Sequence, residues 1–338
     1  MFTAMIESGD WLPYLFAFLM GFAMLVYAIL DGYDLGVGVL SALVPDSDKD
    51  KMIASIGPFW DANETWLVLG VGLLLVAFPA AHGLILTNLY LPVAVMLVGL
   101  IFRGVAFDFR AKVPAHKKHR WNISFVVGST MTAFAQGYML GDYILGFEDS
   151  LPAVLFSILI GLVVVCGYSL IGACWLIMKC EKELQKKAIH WARMTLFGTA
   201  LGVGIISLTT PMVSPRIFSK WFSMPEYMYL APIPRLTLGL ILMTYTLLQK
   251  LPLKGDKYCW APFAMVVGVF VLCFSGLAYS FFPYIVPDQM LIVDAASARE
   301  SLMIILFGAL IVLPVMLAYT VLVYKIFHGK TTEMLQYD

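Results

Sequence analysis

Charge is what this sequence has least of: Asp, Glu, Lys and Arg supply only 13% of its 338 residues. Ordinary soluble domains carry about a quarter, so the scarcity excludes a freely soluble globular protein. The two signs balance at 22 each, and a neutral chain has no electrostatic footprint for nucleic acid. Cysteine is equally sparse. Cys166, Cys174, Cys180, Cys259 and Cys273 show neither CxxC nor CxxCH spacing, which leaves them as small hydrophobes packed in helices. No linker is long enough to hold a soluble domain. The opening MFTAMIESGDW places acids where a leader needs a basic stretch, so a cleavable signal peptide is not expected.

What the chain has is apolar length. Hydrophobic residues make up 61% of it and the mean hydropathy is +0.86. About twenty apolar residues cross the hydrocarbon layer. Nine stretches qualify: 12–40, 58–78, 84–108, 122–145, 152–178, 194–213, 228–249, 261–284 and 301–325. A short turn around Pro79–Gly83 is expected between the second and third. The fold class is therefore an all-α polytopic membrane protein, one integral-membrane domain over 1–338.

Basic residues in the loops set the orientation. With the N-terminus outside, the inner loops hold Lys49 and Lys51, then Arg110 to Arg120, Lys179 to Arg193, Lys250 to Lys257, and finally Lys325 and Lys330. The outer side receives only Arg216, Lys220 and Arg299. The positive-inside rule then predicts N-out, C-in topology with an odd number of spans.

Six ionisable residues fall inside the first three spans: Asp31, Asp34, Asp61, Glu64, Arg103 and Asp108. Each costs roughly 3 kcal/mol near the bilayer centre. The alternating helix directions bring all six to the inner half of one three-helix cluster. Asp31 with Asp34, and Asp61 with Glu64, are spaced i,i+3, which predicts one shared face for each pair. Five carboxylates against one arginine cannot all be ionised cheaply in low-dielectric surroundings, a condition that suits groups carrying protons. An architectural ion cluster is the other reading, with Arg103 as the strut and the second pair favouring a helix N-terminus. Gly32, Gly36 and Gly38, with Gly99 and Gly104, predict close helix approach. Trp60, Trp66 and Trp121 read as interfacial belt residues. Asp142 and Arg235 lie near the outer surface, where snorkelling is the expected behaviour.

Three strings carry a family resemblance: YAILDGYDLGVGVL at 27–40, GPFWDANETW at 57–66 and FRGVAFDFR at 102–110. In order and in successive helices, they resemble the signatures of subunit II of the cytochrome bd-type quinol oxidases. The short chain is similar to the cyanide-insensitive branch. The resemblance implies two four-helix bundles plus a peripheral helix, a charged-motif bundle at about 1–146 and the rest at about 147–338. It also implies a partner subunit I, which holds two b-type hemes and a d-type heme, in a bacterial cytoplasmic membrane. Such complexes oxidise quinol and reduce dioxygen to water with protons from the cytoplasm. A bound quinone and a small single-helix subunit occur in some members.

Carried onto this chain, the resemblance makes Asp61 of the WDxN string the candidate for a proton path, with Glu64, Asp31 and Asp108 beside it. Asp34, Arg103, Trp60 and Asn63 become candidates for stabilising the heme centre. Ala62 departs from the usual glycine, and Trp121-Asn122 replaces an acid found in some relatives, so no role is assigned there. His116, His119 and His328 lie in inner loops, His82 in an outer turn and His190 at an interface. No histidine sits mid-span, so this chain is not expected to ligate heme itself. A proton-coupled secondary transporter is the alternative. It would show repeated halves with matching broken helices, and residues 150–285 offer no counterpart of the charged motifs.

Overall fold

A computed structural model of the chain describes residues 11–224 and 226–331; the acidic opening at 1–10 lies outside the described residues. Helix α1 covers Trp11–Leu40 and runs into one tighter turn, Ser41–Leu43. Extended backbone at Val44 and Pro45 then frees the chain for the short helix α2, Asp46–Ile56. Asp46 and Asp48 sit in its first turn, where the helix dipole favours negative charge. Gly57-Pro58 interrupts the helix, and α3, Trp60–Ala77, departs at 55° from α2.

Helix α4, Pro79–Lys112, begins directly after Phe78. The turn expected at Pro79–Gly83 is thus confined to one residue, because proline has no N–H to lose in the first helical turn. Pro114 precedes α5, Ala115–Ile144. Ser150 caps α6, Leu151–Lys179, accepting from the Ala153 amide at 3.3 Å. Helix α7 spans Lys182–Val213, followed by α8, Pro215–Phe222, and the single turn α9, Glu226–Leu230. Helices α10, Pro232–Lys250, and α11, Ala261–Phe281, form an antiparallel pair. A small antiparallel hairpin of β1, Tyr284–Val286, and β2, Met290–Leu291, leads through α12, Ile292–Ala295, to α13, Arg299–Ile326.

Seven of the nine expected segments fall on one helix each, whereas 228–249 is shared by α9 and α10 and 261–284 runs past α11 to β1. By length and apolarity, seven helical stretches of the described residues suffice to cross a membrane, or eight if α2 and α3 form one bent span. Helix α5, which holds the expected span 122–145, is not among them. Its Ser129 and Thr132 are buried rather than lipid-facing, and it packs on α4, α6 and α1. A helix surrounded by protein does not need an apolar surface, so hydropathy understates it.

Helix α1 is the axis of the molecule. It packs on α3 and α5 along one side and on α6 along the other. At the α1–α6 crossing the backbones touch. A Cβ at Gly36 would fall 1.7 Å from the Tyr168 carbonyl oxygen, and one at Gly172 would fall 2.7 Å from the Gly36 carbonyl carbon. Helix α13 returns to lie against α3 and α1, beside the charged segments, although it comes last in the chain. The largest apolar cluster surrounds Trp175, which stacks on Tyr33 with ring centroids 4.2 Å apart.

Candidate functional site

The Gly-rich end of α1 carries Asp31 and Asp34, both with no exposed surface. The close crossing with α6 seals this end, and α3 and α4 close the remaining sides. Helix α4 contributes Arg103, 1% exposed, whose Nη1 donates to Asp31 Oδ1 at 2.6 Å. Its Nη2 lies 3.8 Å from Asp34 Oδ2. Glu64 Oε1 of α3 approaches Nη1 at 3.3 Å, an ion pair without hydrogen-bond alignment. Three carboxylates from two helices thus surround one guanidinium from a third. Asp31 Oδ2, Asp34 Oδ1 and Arg103 Nη2 are buried with no hydrogen-bond partner among the described residues. Glu64 differs from the other two acids in being open, with 28% of its side chain exposed.

Asn63 adds a second layer. Its Nδ2 donates to Asp34 Oδ2 at 2.7 Å and to the Tyr33 hydroxyl at 2.9 Å. Tyr33 and Tyr324 hydroxyls meet at 2.6 Å, and Tyr324 donates to Asn63 Oδ1 at 3.4 Å. With Tyr324 donating to the amide, Tyr33 is the donor between the phenols, and the three side chains close a ring. On the other side, Tyr168 donates to Gln136 Oε1 and Gln136 Nε2 donates to the Tyr27 hydroxyl, both at 2.7 Å. Tyr27 stands four residues before Asp31, on the same helical face.

The sequence therefore identifies five of the residues that meet, Asp31, Asp34, Asn63, Glu64 and Arg103, but overextends the cluster. Asp61 and Asp108 lie on the exposed surface of the chain, and neither pairs with Arg103 among the described residues. Helical geometry gives the reason. An i,i+3 step leaves about 60° between side chains, enough to point Glu64 inward and Asp61 outward. Arg103 and Asp108 are five residues apart, about 140° around the helix. Trp60 is half-buried, its ring centroid 4.9 Å from that of Phe107. Trp66 is not a belt residue: it has no exposed surface and packs edge-on against Phe22.

Tyr27, Tyr33, Gln136, Tyr168 and Tyr324 were not singled out by the sequence. Tyr27 had a signal in its spacing to Asp31, whereas Tyr324, 291 residues from Tyr33, had none. A further polar cluster escaped as well. Arg110, itself buried, pairs with Asp50 of α2 and donates to Asn122 Oδ1 at 2.5 Å. Asn122 in turn donates to Asp46 Oδ1 at 2.8 Å. This pins the N-terminal end of α2 to α4 and α5. Near the opposite end, no ion pair among the described residues joins Arg235 to Asp142.

His82 is half-buried, and His116, His119, His190 and His328 are exposed, so no imidazole lies among the packed helices. Among the described residues, no group of three or more His, Cys, Asp or Glu could hold a metal ion.

A family model described as cytochrome bd terminal oxidase subunit II matches residues 12–327. Cytochrome bd-I ubiquinol oxidase subunit 2 of Escherichia coli K12 is 24% identical, the alignment covering 95% of this chain and 96% of that one. Cytochrome bd ubiquinol oxidase subunit 2 of Bacillus subtilis is also 24% identical, over 91% and 93%. Among solved structures, a chain of the bd oxidase from Geobacillus thermodenitrificans superposes with a TM-score of 0.78 at 16% identity. That match covers 94% of this chain and 98% of that chain, a likeness of fold.

Proposed function

The chain belongs to the cytochrome bd terminal oxidase subunit II family, and from that premise we propose that its charged core supports the partner's heme centre and carries protons toward it. It is a multi-pass protein of the bacterial cytoplasmic membrane and one subunit of a quinol:oxygen oxidoreductase. In this reading the two b-type hemes and the d-type heme belong to subunit I, and supply the redox chemistry there. The chain itself crosses the membrane nine times, N-out and C-in, as its loop charges suggest. Its helices form two four-helix bundles plus a peripheral helix.

The single observation that carries the proposal is the asymmetry around Arg103. Three carboxylates share one cation, two of them fully buried, while Glu64 alone has open surface. Asp31, Asp34, Arg103 and Asn63 hold α1, α3 and α4 in fixed register, which keeps the helix faces that meet the partner in place. Trp60 braces the start of α3 on Phe107. Glu64 takes up and gives up the proton at its carboxylate, with Asp61, one turn earlier on the outer face, as the point of entry. Asp108 flanks the same surface of α4. Inward, the proton passes from the Glu64 carboxyl to a carboxylate of Asp31 or Asp34, the two other acids within 4 Å of Arg103, while the guanidinium keeps its own charge.

Substituting Glu64→Gln and, separately, Asp61→Asn in the assembled complex tests this. Quinol-driven oxygen consumption should fall about tenfold or more, equivalent to ~1.4 kcal/mol on the barrier, with the heme spectrum intact. Loss of heme in proportion to activity would make both residues architectural. Unchanged turnover and heme content would remove them from the path.

A further inference from the structure

Away from the charged core, α8 lies across the ends of α7 and α11. Ser214 caps it, accepting from the Ile217 amide at 3.4 Å, and Pro215 opens it. The helix is firmly docked. Arg216 donates to Asp288 at 2.6 Å and to the Ser280 carbonyl at 2.5 Å, and Trp221 Nε1 donates to Ser280 Oγ at 2.8 Å. Its other face presents Phe218 and Phe222 to the surface, and exposed Met224 and Met228 follow. An amphipathic helix of this kind lies in the plane of the membrane–water interface.

Between α8, α9 and the end of α11 is an open cavity of about 330 Å³, lined in part by Ser219, Lys220, Ser223, Glu226, Tyr279 and Phe282. Lys220 Nζ donates to the Tyr279 carbonyl at 3.2 Å and to that of Phe282, which fixes the ammonium over both rings. An ammonium has three donors, so one remains for the cavity. No carboxylate lies within ion-pair distance of Lys220 among the described residues. Burial and the nearby charge of Arg216 hold Lys220 below the usual lysine range, a strain that an anion would relieve. Glu226 likewise has no cationic partner among the described residues and meets only the Ser223 hydroxyl, at 3.4 Å. A cation and an acid without a cationic partner therefore face one cavity at a lipid-exposed interface, while the Ser219 and Ser223 hydroxyls beside them already donate to the Arg216 carbonyl at 2.9 Å and to Glu226.

We propose that this cavity binds the headgroup of a zwitterionic glycerophospholipid, its phosphate on Lys220 and its primary amine on Glu226. The acyl chains run down the apolar surface beside Phe218 and Phe222. The opposed charges select an amine-bearing headgroup over an anionic glycerol one, and the apolar surface selects lipid over free phosphate.

The test uses the intact complex, taken from nanodiscs containing equal phosphatidylethanolamine and phosphatidylglycerol, with retained lipid counted by native mass spectrometry. The unsubstituted complex should retain phosphatidylethanolamine in preference. Lys220→Gln should lower that retention about tenfold, and Lys220→Arg should preserve it. Glu226→Gln should keep a bound lipid but erase the preference between the two headgroups. Heme absorbance reports assembly of each variant; if Lys220→Gln does not assemble, the Glu226→Gln selectivity decides. Equal retention and selectivity in all variants would overturn the proposal. So would displacement of the lipid by inorganic phosphate, or loss of a quinone instead of a phospholipid.

Discussion

Arg103 donates to Asp31 and lies within 4 Å of Asp34 and Glu64, with 1% of its own surface exposed. Removing the guanidinium leaves acids without a counter-charge in a dry interior, and breaking a buried pair in this way costs about 3–5 kcal/mol. Arg103→Leu should therefore lower the thermal midpoint and the yield of assembled, heme-containing complex, measured by absorbance of the purified oxidase. Arg103→Lys should recover only part, because an ammonium cannot present the planar fork that reaches several carboxylates. A leucine variant as stable as the parent would show that the ion cluster is dispensable. The presence of these charges was legible in the sequence because buried charge is costly and therefore rare. Their directions were not. Asp61 and Asp108 share the depth of the site but turn outward, and depth is all that span boundaries and loop charges report.

Among the elements, α1 and α6 show what a single methyl group would do. Gly36 has a carbonyl oxygen where a Cβ would stand, 1.7 Å away, whereas a Cβ at Gly72 of α3 would meet nothing within 4 Å. Overpacking costs about 1–3 kcal/mol and more where backbone must move. Gly36→Ala should therefore fall at or above the top of that range and separate α1 from α6. Gly72→Ala should be neutral or stabilising by up to about 1 kcal/mol, since alanine is the better helix former. Thermal melts of the two variants check the contrast, and equal melting would mean the crossing yields easily. Glycines in α1 announced a close approach; which helix approaches was hidden, because lipid and a partner helix look alike to an apolar face. Likewise α5, counted as a span from its sequence, falls short by apolarity, since its polar side chains bind inside the protein.

At the scale of the whole molecule, the chain's last described residues tie distant parts together. Thr331 donates its amide to the Lys179 carbonyl at 2.8 Å, and Lys330 reaches the Cys180 carbonyl at 2.8 Å and pairs with Asp256. Gln185 also donates to Asp256, at 2.7 Å. Burial pushes the Asp256 carboxyl up, but the Lys330 and Gln185 hydrogen bonds outweigh it and hold the group below the usual carboxylate range. A depressed carboxyl stabilises the fold above its unfolded value, about 3.9, and that stability is lost as pH falls through the folded value. The thermal midpoint should thus drop more steeply below about pH 4 in the unsubstituted chain than in Asp256→Asn; parallel curves would refute the linkage. The long apolar helices were legible from apolar length, but this clamp, and the ring that brings Tyr324 to Tyr33, join residues with no periodic relation. The separation of Asp31 from Arg103, 72 residues, has a consequence for biosynthesis. At roughly 5–20 residues per second, the ribosome makes the arginine some 4–14 s after the aspartates. During that interval α1 holds acids that have no cation to meet, so α1, α3 and α4 must leave the insertion machinery together, as one charge-matched unit, and not helix by helix.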